Sequence, residues 1–131
     1  MNMTKTPYGI GEKTASEIDT IDATLDMRGQ QMDDPSVDSY TLGLLRDPNM
    51  AGKKLGEEVL ELAMAVTTDE EGETQASEEE IADILYASLV FARSRGREVR
   101  LGNVLGILVG RNERKTAEEE MGSFPEFSQE S

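Results

Sequence analysis

Two segments of this chain set carboxylates into apolar text at helical spacing, and that combination limits both the fold and the chemistry. In the first, Leu55, Val59, Leu62 and Val66 recur at offsets of four, seven and eleven, a stripe that predicts a core helix. Glu57, Glu58 and Glu61 are interleaved with that stripe as EExxE. In the second, Glu80 and Asp83 stand three apart at the start of the mostly apolar run 81–92. Residues three or four apart share a helix face, so Glu58 projects with Glu61, Glu80 with Asp83, and Glu57 lies on the adjoining edge. Glu61 is the only polar residue between Val59 and Val66, and Asp83 interrupts the second run, so neither belongs to an obvious solvent face. Buried carboxylates are costly unless paired or coordinated, and several together repel one another, which makes a shared cation the economical explanation.

Two antiparallel helices that each present such a pair converge four carboxylates, the arrangement used by carboxylate metal sites in helical bundles. Oxygen-only ligands select hard ions, here magnesium with manganese as the alternative. The absence of cysteine and histidine removes disulfides, thiolate nucleophiles, imidazole bases and zinc sites built on sulfur or nitrogen. A net charge of −14, from 27 acidic against 13 basic residues, argues against duplex nucleic acid as a partner, so a phosphate ligand arrives with a metal. The bland readings are a solvated acidic surface, a capping box of Ser77 with Glu80, exposed Glu57 and Glu58, and a Lys54–Glu58 helix ion pair worth only ~0.2–0.5 kcal/mol.

A length of 131 residues suits one modest domain, with any large active site shared with a second subunit. Thr14 and Glu17 have capping-box spacing ahead of Ile18, Ile21 and Leu25, which predicts a first helix over 15–31. Asp34-Pro35 and Asp47-Pro48 each read as an N-cap followed by proline in the first turn, so each predicts a helix start. The polar stretch 67–75 reads as a flexible surface loop, Ser77 restarts the helical pattern, and Gly96 ends it; a last helix is expected over 101–111. No stretch alternates with period two. The expectation is an all-α bundle of four to five helices: 1–13 a flexible N-terminal segment, 14–115 the domain, 116–131 an acidic tail that is disordered or loosely docked. The apolar runs are too short to span a bilayer and the N-terminus lacks a signal-peptide order, so no membrane role is expected and the location is cytoplasmic.

Lys53 and Lys54 precede the acids by one turn and are candidates for binding phosphate oxygens, against a solvated face. Arg93, Arg95, Arg97 and Arg100 form the one basic concentration and suit a phosphate-facing rim, with a helix-end role as the equal alternative for the first two. Gly102, Gly106 and Gly110 line one helix face and read as packing. Tyr40 and Tyr86 read as core or interface residues in preference to base-stacking platforms.

The blocks DSYTLGLL (38–45), KKLGEEVLE (53–61) and EEIADILYASLVFARSRG (79–96) resemble the all-α nucleoside triphosphate pyrophosphohydrolase superfamily and, within it, the phosphoribosyl-ATP pyrophosphohydrolases of histidine biosynthesis. The resemblance extends over about residues 18–112. It implies a bundle completed by homodimerisation and magnesium bound through acids that map onto Glu57, Glu58, Glu61, Glu80 and Asp83. It also implies hydrolysis of phosphoribosyl-ATP to phosphoribosyl-AMP and pyrophosphate. Two features depart from the pattern: Ala87 stands where a histidine usually follows the tyrosine, and the loop 67–75 is long. The segment GRNERK (110–115), with Asn112, is similar instead to the tail of MazG-like house-cleaning enzymes, which release a nucleoside monophosphate and pyrophosphate.

The expected machinery is therefore Glu58, Glu61, Glu80 and Asp83 as metal ligands, with Glu57, Glu58 and Glu61 as the catalytic acids and Glu57 the candidate general base or second-metal ligand. Lys53, Lys54, Arg95 and Asn112 are the candidate substrate-binding residues. A house-cleaning activity on other nucleoside triphosphates and a non-catalytic helical interaction module are the two alternatives.

Overall fold

The computed structural model describes residues 12–68 and 74–120, and among these every regular element is an α-helix. They are α1 (Glu12–Gln30), α2 (Tyr40–Arg46), α3 (Pro48–Thr68), α4 (Thr74–Ser94) and α5 (Leu101–Glu120). Most of the expected N-terminal segment, the middle of the expected loop and residues 121–131 of the expected tail lie outside the described residues. The chain divides into two compact units, one of Ile21–Arg100 and one of the residues up to Thr20 with those from Leu101 onward. In the latter, Ile18 and Leu101 are buried, and α5 continues nine residues past the expected end at Arg111.

Local signals explain the helix ends in the Ile21–Arg100 unit. Asp47 caps α3 as its order with Pro48 predicts: the Met50 N–H donates to Asp47 Oδ1 at 3.1 Å. Asp34-Pro35 behaves otherwise. Asp34 Oδ1 accepts from Ser36 N (3.0 Å) and Ser36 Oγ (2.6 Å), making a turn, and the helix starts later, where Ser39 Oγ accepts from Leu42 N at 3.0 Å. Arg46 then fastens this connection by donating to the carbonyls of Gln31, Met32, Asp34 and Val37. At the far end of α4, Gly96 takes φ 81°, its N–H reaches Arg93 O at 3.0 Å and Arg97 N reaches Ala92 O at 3.0 Å, a Schellman stop at the expected glycine. Two expected capping boxes fall inside helices: α1 already includes Glu12 ahead of Thr14, and α4 includes Thr74 ahead of Ser77.

The core gathers where α2 meets α4, around the fully buried Leu25, Leu42, Leu45 and Val90. α3 and α4 pack along each other as an antiparallel pair: Gly52 lies against Phe91 near one end, and Glu58 and Glu61 meet Glu80 further along. The covered line of α3 is Ala51, Leu55, Glu58, Leu62, which keeps Leu55 and Leu62 of the stripe the sequence suggests and has Ala51 and Glu58 in place of Val59 and Val66. Val59 and Val66, taken as core residues, are 48% and 57% exposed. On α4 the covered line is Ser77, Glu80, Ile84, Ala87, Phe91. Each helix thus places one glutamate in the seam.

Candidate metal and nucleotide site

Glu58 is buried at 6% exposure, on the side of α3 that faces α4, and it gains a partner one turn back: Lys54 Nζ lies 2.7 Å from Glu58 Oε1. The helix ion pair expected as a bland alternative therefore exists, but within the seam. Glu80 faces it from α4, half-buried, with Oε2 buried and without a hydrogen-bond partner. Burial pushes the Glu80 carboxyl above its ordinary range, and the negative fields of Glu58, Glu61 and Asp83 push it further. One carboxylate oxygen from each of Glu58, Glu61 and Glu80 lies within 4.8 Å of the others. A buried oxygen without a hydrogen-bond partner among converging carboxylates fits a hard divalent cation.

The two residues that looked most diagnostic in the sequence are the exposed members of the group. Glu61 and Asp83 flank the seam instead of lying in it, because the apolar residues around them, Val59, Leu60, Val66 and Ile81, are themselves exposed. Asp83 joins Glu58, Lys54, Tyr40, Leu44, Tyr86 and Ala87 in lining a pocket of about 290 Å³ next to the carboxylates. Tyr86 is held there by a 2.8 Å hydrogen bond between its hydroxyl and Thr41 Oγ1, which ties α4 to α2. Ala87, where the resemblance leads one to expect a histidine, is buried in this wall.

The remaining predicted site residues are all exposed. Glu57 and Lys53 are exposed on α3, and Glu57 is outside the converging trio. Arg95 is exposed in the turn after α4, and Asn112 is exposed on α5. The arginine concentration resolves into two kinds of residue. Arg93 is a structural cation: Nη1 reaches Asp26 Oδ1 at 2.8 Å, Nη2 lies 3.9 Å from the buried Asp22, and Nε donates to Val99 O at 3.1 Å. Arg100 joins Asp26 at 3.1 Å, and these two arginines hold the Asp26 carboxyl below the ordinary carboxylate range. Arg97 is exposed and, with Arg93, Arg100 and Asp26, lines a separate cavity of about 550 Å³. The buried Asp22 was legible on the same ground as the glutamates, since it falls between Ile18 and Leu25 on the apolar face of α1.

A family model described as phosphoribosyl-ATP pyrophosphohydrolase matches residues 22–109, which include α2, α3, α4 and all the carboxylates above. Phosphoribosyl-ATP pyrophosphatases from two strains of Caulobacter vibrioides are each 44% identical to this chain over 63 residues, covering 48% of it and 55% of the relative. The chain thus spans about half the length of the curated relatives it matches. No solved structure matches it. With two glutamates in the α3–α4 seam, two acids flanking them and the family match spanning them all, the chain belongs to the phosphoribosyl-ATP pyrophosphohydrolase family.

Proposed function

We propose that this chain hydrolyses phosphoribosyl-ATP to phosphoribosyl-AMP and pyrophosphate, in the cytoplasm, with magnesium held by Glu58, Glu61, Glu80 and Asp83. The convergence of Glu58, Glu61 and Glu80 carries the reading, in a chain whose relatives bear the phosphoribosyl-ATP pyrophosphatase name. When bound, such an ion supplies neutralisation of phosphate charge and activation of water.

Water adds across the anhydride between the α and β phosphates, giving the monophosphate and pyrophosphate. With no imidazole or thiol in the chain, a carboxylate takes the proton from that water, and Glu57, exposed beside the cluster, has that role. Lys54 balances Glu58 in the free chain and lies in the pocket, where it meets phosphate oxygens; Lys53 adds positive charge on the exposed side. Arg95 and Asn112, both exposed, are the further candidates for contacts with the substrate, at a site that a second subunit completes. The exposed apolar residues Val59, Leu60, Val66 and Ile81 beside the cluster favour that second copy, which covers them. No helix of the described residues is long and apolar enough to cross a membrane.

The test is pyrophosphate release from phosphoribosyl-ATP with and without magnesium, beside a panel of nucleoside triphosphates. Magnesium-dependent release with preference for phosphoribosyl-ATP is the expected result. Preference for a deoxynucleoside triphosphate assigns the site to house-cleaning, and no turnover with no magnesium binding by calorimetry assigns the chain to a non-catalytic role.

A further inference from the structure

Tyr40 opens α2 and is 66% exposed, yet it forms a wall of the pocket of about 290 Å³ that also holds Lys54, Glu58 and Asp83. Folding ordinarily covers most of so large a ring, and among the described residues no hydrogen bond of its hydroxyl accounts for its position. Its neighbour in sequence, Thr41, is the residue that fixes the Tyr86 hydroxyl at 2.8 Å, so a second aromatic wall of the same pocket is locked to the turn that carries Tyr40. Between them the pocket floor is Ala87 and Leu44, apolar and without a donor or acceptor on the side chain. The pocket therefore combines two aromatic rings with a lysine and two acids around an apolar pair of residues. Its volume, about 290 Å³, falls just under the ~300 Å³ at which ligand sites start, which suits part of a nucleotide such as the base with its ribose.

We infer that Tyr40 is the stacking surface for the purine ring of the nucleotide, with Tyr86, positioned by Thr41, as the wall that sets where the ring lies relative to the carboxylates. The inference rests on the nucleotide-hydrolase reading above. It makes Tyr40 a binding and specificity residue, because a stacked base orients the phosphates toward Lys54 and Glu58 without touching the reacting atoms.

The sequence provides a direct probe: there is no tryptophan, and the tyrosines are Tyr8, Tyr40 and Tyr86. The full chain, Tyr40→Leu and Tyr40→Phe are titrated in magnesium with AMP and, as a ligand without a base, ribose 5-phosphate, following tyrosine emission and calorimetric heat. AMP is expected to quench emission in the wild type and to bind Tyr40→Leu more weakly by roughly tenfold or more, the scale of one base–aromatic stack. Tyr40→Phe keeps the affinity and loses most of the quench, and ribose 5-phosphate does not distinguish the three proteins. In turnover, Tyr40→Leu raises KM for phosphoribosyl-ATP far more than it lowers kcat.

AMP affinity and KM in Tyr40→Leu within about twofold of wild type overturn the inference. So does an equal loss of ribose 5-phosphate binding, or loss of both ligands together with a change in oligomeric state, which makes Tyr40 an interface residue. Tyr40-dependent AMP binding in a chain that does not hydrolyse phosphoribosyl-ATP overturns the proposed reaction and leaves the stacking role standing; hydrolysis indifferent to Tyr40 does the reverse.

Discussion

Glu58 and Glu61 are three residues apart and face different surroundings, one buried in the seam and one exposed beside it. Interruption of an apolar run singled out Glu61 in the sequence, but that test finds seam positions only when the surrounding apolar residues are themselves covered within the chain. Here they are not, and the covered line passes through Glu58. Removing either charge while keeping the shape separates the two roles. Glu58→Gln is expected to cost at least the ~10–100-fold in activity or metal affinity that an outer-sphere change typically costs, as well as the Lys54 ion pair. At Asp26, the hydrogen bond from Arg93 and then that from Arg100 lower the folded-state pKa below the unfolded one. Their stabilisation is therefore fully present above the ordinary carboxylate range and is lost as pH falls through the lowered folded value. Because the Asp26 side chain is 41% exposed, solvent limits the effect to at most about 1 kcal/mol. Acid denaturation of Asp26→Asn beside wild type should show a stability gap that closes as pH falls; a gap independent of pH contradicts the assignment.

Among the elements, α3 carries two glycines that predict opposite responses to one substitution. A Cβ on Gly52 meets Phe91 Cε1 at 3.0 Å, whereas a Cβ on Gly56 meets nothing within 4 Å. Gly56→Ala should therefore stabilise by about 0.5–1 kcal/mol through helix propensity, while Gly52→Ala gives up that gain by pushing on Phe91. Chemical denaturation of both variants measures the sign. Arg93→Ala, which removes the hydrogen bonds to Asp26 and to Val99 O together with the charge facing the buried Asp22, should destabilise by about 1.5–3 kcal/mol on the same assay. The helices with strong local signals were legible: Asp47-Pro48 at the start of α3, Gly96 at the end of α4, the all-α class. Asp34-Pro35 was not, because an aspartate before proline suits a turn as well as an N-cap, and Ser36 decided it by donating twice to Asp34. Arg93 suits either a phosphate rim or a helix end in the sequence, and its ion pairs with Asp22 and Asp26, some seventy residues away, are contacts that no local periodicity encodes.

For the molecule as a whole, Val59, Leu60, Val66 and Ile81 on the α3–α4 pair are exposed beside the carboxylates. The one-domain length suggests a shared site, and coverage of these residues by a second copy is the proposal that follows. Val66→Glu, a charge placed in this face, should shift sedimentation from dimer to monomer and reduce turnover with it; an unchanged sedimentation coefficient contradicts coverage by a second copy. The central claim is that the seam glutamates hold the ion with which this chain cleaves its nucleotide. It is tested most directly by measuring pyrophosphate release from phosphoribosyl-ATP against magnesium concentration for wild type and Glu80→Gln, with circular dichroism on both. The account predicts saturable magnesium dependence in the wild type and, in a folded variant, loss of activity not restored by magnesium. Equal activity and equal magnesium dependence in the two proteins would contradict it.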